Sequence, residues 1–197
     1  MKPRFLILTT FCLITAARAD LVIEQEVETA GQPKQSMIMS FKDGKIRADI
    51  GKGMSTITDT ATGDTSAMMH EQKMIVVTSG AAAKAAIEAA QKGLAGTEKP
   101  KKLDKVEAIG DRPCEVWAYE INGSKITMWV DKNYPGYASF KDEMNKLATA
   151  LLKDGAASFD PGGMIVKTEA VMAGITSTSL VKSVKQTKVD ASIFNKP

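Results

Sequence analysis

The chain reads as an α+β protein, mostly β: an antiparallel sheet with two helices laid against it. Three observations predict this class. Apolar and polar residues alternate in short runs from Gln35 to Ser79, cut by turn signals, which is the period of a half-buried meander. Asp43-Gly44 and Asn122-Gly123 each stand between two alternating runs, the pattern of two-residue hairpins. Two segments, near 81–94 and 139–153, carry helix-forming composition or spacing instead.

The chain of 197 residues predicts one domain over 20–197 after a cleavable signal peptide over 1–19. Lys2 and Arg4 precede an apolar run from Phe5 to Ala16, and Ala17-Arg18-Ala19 is a small-x-small cleavage site. That run is too short to span a bilayer, and Phe11 before Cys12 does not suit a lipoprotein box, so no stable membrane anchor is expected. The leader holds Lys2, Arg4 and Arg18, three of the 26 basic residues, so the remainder balances the 23 acidic ones. A net charge near zero argues against nucleic acid as a partner. Cys114 is the one cysteine left after cleavage, so no intramolecular disulfide is available and burial must hold the fold. Its thiol is either a small buried hydrophobe or a group that pairs between chains.

Asp20 to Thr29 opens the sheet, with Leu21, Ile23 and Val27 on one side and Glu24, Glu26 and Glu28 on the other. Ser36–Lys42 and Lys45–Ile50 flank the first hairpin turn. A two-residue loop pairs Phe41 with Ile46, Met39 with Ala48 and Met37 with Ile50, all on one side, and Ser40 with Arg47 on the other. Strands near 54–60, 64–70 and 73–79 continue the meander. Ala81–Leu94 is a helix by alanine content, expected to dock weakly through Ala83, Ala86, Ile87, Ala90 and Leu94, with Lys84, Glu88 and Lys92 in solvent. A movable lid is one use of so weakly held a helix. Residues 96–105 read as a solvated lysine-bearing linker, and Val106–Ile109 as a short strand.

The second hairpin, 113–121 and 124–130, pairs Glu120 with Lys125, Tyr119 with Ile126, Trp117 with Met128 and Val116 with Trp129. Its distal part is apolar on both faces, so one face joins a core and the other needs a cover or a ligand. Ser139 is the expected N-cap of the second helix, whose Phe140, Met144, Leu147 and Leu151 form one stripe ended at Gly155. Met164–Met172 and Ile175–Thr187 close the sheet, with a bulge expected near Ser183. The tail from Val189 to Phe194 is expected to tuck Ile193 and Phe194 under the sheet.

Several short segments carry a resemblance. These are Asp20-Leu21-Val22-Ile23-Glu24-Gln25, Lys45-Ile46-Arg47-Ala48-Asp49, Met54-Ser55-Thr56-Ile57, Met69-His70, Cys114-Glu115-Val116-Trp117, Thr127-Met128-Trp129-Val130, and the closing Leu180-Val181 with Val189-Asp190-Ala191-Ser192-Ile193-Phe194. In this order they resemble the secreted bacterial family named domain of unknown function 4412. The resemblance implies the shape of the LolA-like and LolB-like periplasmic lipoprotein carriers: a curved antiparallel sheet, a half-barrel, wrapped around an apolar cavity and closed by helices. It implies no activity.

No Gly-rich phosphate loop, nucleophile elbow or zinc-protease motif is found, so the chain is not expected to be an enzyme and no cofactor is expected. Methionine is the compositional oddity: six of the eleven lie between positions 37 and 74. Thioethers either fill a core or line an adaptable apolar site. The leading expectation is an exported, periplasmic binding module whose cavity for a lipid or other apolar ligand is lined by Met37, Met39, Phe41, Met69, Met74, Trp117 and Met128. A second expectation is a ligand-free structural or interaction module with a cell-envelope protein as partner. A third is soft-metal (copper) binding at Met69 and His70, because thioether and imidazole suit Cu(I).

Overall fold

The computed structural model describes residues 20–93, 99–121, 123–152 and 159–195. The expected signal peptide, Leu94 and Gly155 lie outside these residues. Among them the chain forms the expected class: a mostly β, open, curved antiparallel sheet carrying two helices. In chain order the elements are β1 (Leu21–Thr29), β2 (Gln35–Lys42), β3 (Lys45–Ile50), β4 (Met54–Asp59), β5 (Thr65–Met69), β6 (Met74–Thr78), α1 (Gly80–Gly93), β7 (Lys101–Ile109), β8 (Arg112–Ile121), β9 (Ser124–Asp131), α2 (Tyr137–Leu151), β10 (Met164–Met172) and β11 (Ile175–Gln186). A 3-10 turn, Ala191–Phe194, follows. The strands form one sheet in the order β6-β5-β4-β3-β2-β1-β11-β10-β9-β8-β7. The crossover lies in the middle, where β1 pairs with β11, so the chain's two halves are two meanders joined at their first and last strands.

Both hairpins take the register their turns demand. Phe41 faces Ile46, Met39 faces Ala48 and Met37 faces Ile50. Trp117 faces Met128, and Val116 faces Trp129. The β11 irregularity also falls where the parity breaks: Glu24 pairs with Ser183 and Gln25 with Val181, leaving Lys182 as the extra residue.

Three expectations are corrected. Residues 101–105 are not linker: they belong to β7, which pairs with β8 from Lys101 opposite Ala118 onward. An edge strand tolerates such charge because only one of its sides is hydrogen-bonded. Ser139 is not the N-cap of α2. The helix begins at Tyr137 behind Gly136, whose φ of 84° makes a left-handed turn that a side chain would strain. Ser139 instead accepts a 3.0 Å hydrogen bond from Gln186 Nε2, tying α2 to β11. On α1, Lys84 and Glu88 are half-buried beside Ala83 and Ile87, whereas Ala86 and Ala90 are exposed. Its inward stripe thus keeps Ala83 and Ile87 of the expected one but adds Lys84 and Glu88 in place of Ala86 and Ala90.

The main core joins Leu21, Ile23, Phe41 and Ile46 to Cys114, Val116, Trp129, Met164 and Val166. Phe140 and Leu147 of α2 pack against it, although no residue of α2 is fully buried. A second cluster of Ile57, Met68, Val189 and Phe194 lies on the other side of β4 and β5, where the C-terminal turn docks. Cys114 is buried, and that burial pushes its thiol pKa up, so it acts as a small hydrophobe of the core.

Both helices converge on the β4–β5 turn. Asp59 caps it by accepting from the amides of Ala61 and Thr62. Asp64 then accepts a 2.7 Å bond from the Gly80 amide at the start of α1. A Cβ on Gly80 would sit 1.8 Å from the Thr62 carbonyl oxygen, so this approach requires glycine.

Candidate functional site

Residues directly opposite in a sheet share a side, so the register can be followed from strand to strand. One row runs Met74, Met69, Met54, Ile50 and Met37 across β6 to β2. The next runs Val76, Ala67, Thr56, Ala48, Met39 and Ile23. The third runs Thr78, Thr65, Thr58, Ile46, Phe41 and Leu21. Farther across the sheet, Trp117, Met128, Thr168, Ser179, Val27 and Gln35 form a row on the same side. All seven residues expected to line an apolar cavity therefore lie on one side of the sheet.

Their burial differs along the strands. Phe41 and Met128 are buried; Met37, Met39, Met69 and Trp117 are half-buried; Met74 is exposed. Helix α2 causes the gradient, because it crosses only one end of the strands. The Phe140 ring stands edge-on to Phe41 with centroids 6.1 Å apart, covering the third row. Phe159 stands against Trp117 at 5.2 Å, and the Trp117 Nε1–H is buried without a hydrogen-bond partner among the described residues. The methionine row lies toward the other end, where its members keep partial to full exposure.

Two depressions flank α2. One, of about 390 Å³, lies between Leu21, Phe41 and Gln186 and the helix residues Ser139, Glu143 and Lys146. Asp20 and Lys42 meet at its rim at 2.8 Å. The lysine hydrogen bond outweighs burial and holds the Asp20 carboxyl below its ordinary pKa. The other, of about 170 Å³, is mostly apolar and lies among Phe140, Met144, Phe159, Met164 and Ile165. The loop beside it is latched to α2. Tyr137 donates to Asp160, and Lys141 pairs with the same carboxylate at 2.6 Å. Lys141 first, then Tyr137 and the Gly162 amide, pull Asp160 down to about 2, while burial and Asp160 push Tyr137 up to about 12.

A polar cluster that residue patterning did not single out occupies the opposite side of β3 and β4. Arg47 grips Asp49 through Nε and Nη2, and its Nη1 donates to the Ile193 carbonyl of the C-terminal turn. Ser55, only 2% exposed, donates to Asp49 and accepts from Arg47 Nη2 at 3.1 Å. His70 Nε2 lies 2.7 Å from the same hydroxyl. The hydroxyl's single proton is committed to Asp49, so His70 must donate through Nε2. A serine oriented this way is not activated by the imidazole, and the trio works as a clamp, not as a nucleophile and base. Burial works to raise the Asp49 pKa, but the bonds from Arg47 and Ser55 prevail and lower it. The available signal was register: the turn at Gly51-Lys52-Gly53 sets Ser55 opposite Asp49, two residues from Arg47.

This cluster also places His70. Met69 stands opposite Met54 in the methionine row, whereas the His70 ring is held by Ser55 behind the sheet. The two side chains thus engage opposite sides of the sheet.

No protein-family model and no curated protein matches the chain, so the family resemblance rests on the short segments quoted above. Solved structures are similar in outline. PNGF-II, in a C2 crystal form, is 18% identical over 90% of this chain with a TM-score of 0.46, and this chain spans 30% of its length. The Mycobacterium tuberculosis lipoprotein LppX is 9% identical over 86% of this chain and 88% of its own, with a TM-score of 0.44. A LolA superfamily protein from Nitrosomonas europaea is 12% identical over 91% of each chain, with a TM-score of 0.37.

Proposed function

We propose that the protein is an exported binding module that holds a lipid acyl chain or similar apolar ligand on the side of the sheet that carries α2. One observation carries the reading: among the described residues the methionine row and the Val76–Met39 row beside it keep partial exposure, while Phe140 of α2 stands on Phe41 of the third row. An apolar surface left open next to a packed core needs an occupant. Thioethers accommodate chains of variable shape because they are unbranched and polarizable. Helix α1, short of large apolar side chains and meeting α2, is placed to move when the face is filled. Phe41, Trp117 and Met128 form the packed floor of this site, and Met37, Met39, Met69 and Met74 its open part.

Native mass spectrometry of the exported chain, followed by solvent extraction, tests this. An extractable lipid mass on the wild type, lost in Met69→Asp with the fold unchanged, is the expected result. A bare mass and no uptake of a fluorescent fatty acid would sink it. Phe41→Asp is the contrasting variant: at 2% exposure it should unfold the protein instead of selectively emptying the site.

A further inference from the structure

The geometry points to a second copy of this chain as the partner of β6, joined edge to edge about a two-fold axis through Val76. Strand β6 ends the sheet and, among the described residues, pairs only with β5. Half of its backbone N–H and C=O groups therefore point outward, and the chemistry that satisfies such a row is another extended strand.

The two edges of the sheet are built differently. At the β7 edge, Lys101, Lys102, Asp104 and Lys105 are exposed, and the register slips between Lys102 and Val106. Charges and a bulge are the devices that keep an edge from pairing. Strand β6, Met74-Ile75-Val76-Val77-Thr78, has neither charge, proline nor register slip. Met74, Ile75, Val76 and Val77 are 44%, 42%, 42% and 63% exposed, so apolar groups stand open on both sides of the strand.

The sequence of β6 also suits its own copy. With the axis at Val76, Val76 faces its symmetry mate, Ile75 faces Val77 and Met74 faces Thr78. The next pair outward sets Lys73 against Ser79, so no like charges meet. The same operation at β7 would bring two lysine-rich edges together. An axis perpendicular to the sheet keeps equivalent faces on one side. The row Val76, Ala67, Thr56, Ala48 and Met39 then meets its own copy, and the half-exposed face doubles in length. The pairing itself depends on backbone groups and on β6 alone, not on any ligand.

Sedimentation velocity of the exported chain over a wide concentration range tests it without added ligand. The wild type should sediment as a dimer, and Val76→Lys should weaken the dimer by about tenfold or more, because two ammonium groups would meet at the axis. Circular dichroism checks that the variant folds. A second variant, Val76→Cys, does not depend on that check: opposed residues in an antiparallel pair have Cα atoms about 4.5–5.5 Å apart, within disulfide span. It should form a covalent dimer under mild oxidation, while buried Cys114 stays unreacted. A monomeric wild type, a dimer indifferent to Val76→Lys, or a Val76→Cys chain that does not cross-link would each overturn the proposal. A monomer that still takes up lipid would leave the binding reading standing and remove this one alone.

Discussion

Ser55 shows how one hydroxyl can organise a region. It gives its proton to Asp49 and receives from Arg47 and His70, while Arg47 reaches on to the Ile193 carbonyl. Removing a partner from such a buried group costs about 1–3 kcal/mol. Ser55→Ala should lower stability by that order, read as a reduced denaturant midpoint with an unchanged slope. Asp49 is depressed, so its contribution is present above the unfolded carboxylate pKa and fades as pH falls through the lowered one. The Tyr137–Asp160 latch responds at both ends of the pH scale. Asp160, lowered from 3.8 to about 2, loses its stabilising share as the solution is acidified across that interval. Tyr137, raised from 10.0 to about 12, keeps its proton in the folded chain, and its share is lost as pH rises across that span. Thermal melts across pH should therefore show that Tyr137→Phe flattens the alkaline fall and Asp160→Asn the acid one.

The elements differ in how firmly they are held. Strands β1 to β3 contribute Leu21, Ile23, Phe41 and Ile46 to the core, and full burial of such a side chain stabilises by about 1.5–3 kcal/mol. Helix α2 shares in that through Phe140 and Leu147. Helix α1 has Ile87 as its one large apolar group among Ala83, Ala85, Ala86, Ala89 and Ala90; it meets α2 and, through Gly80, the β4–β5 turn. Hydrogen exchange should open α1 well before β1 to β3, and equal protection in both would contradict this ordering. The junction at the β4–β5 turn is closely packed. Gly80→Ala forces a Cβ against the Thr62 carbonyl, and a loss of about 1–3 kcal/mol or more is expected, measured by chemical denaturation.

Across the whole molecule, the two sides of the sheet are stabilised in different ways. The side with α2 is packed at one end and open at the other; the back of β3 to β5 is sealed by the C-terminal turn through Phe194, Val189 and the Arg47–Ile193 bond. Because that seal is shared, Arg47→Ala and Phe194→Ala should not add. A double-mutant cycle is expected to give a coupling of about 0.5–3 kcal/mol. Among the described residues no helix is long and apolar enough to cross a membrane.

Local chemistry was enough for much of this. The Asp43-Gly44 and Asn122-Gly123 turns dictate hairpin register, because a two-residue loop allows one pairing and a slip would expose Phe41, Met39 and Met37 together. The Val181 parity break announced the β11 irregularity for the same reason. What residue order could not supply were facts that depend on distant segments. Residues 101–105 look like solvated linker until β8 offers them a ladder. Ser139 looks like a cap until Gln186 claims its hydroxyl. The Arg47–Asp49–Ser55–His70 clamp needs β3, β4, the end of β5 and the Ile193 carbonyl to meet, and none of its members stands out alone in the chain. Periodicity marks which side of a strand is apolar, but which part of that side is covered depends on where α2 lands, and that is settled by the Phe41–Phe140 contact, about a hundred residues apart in the chain.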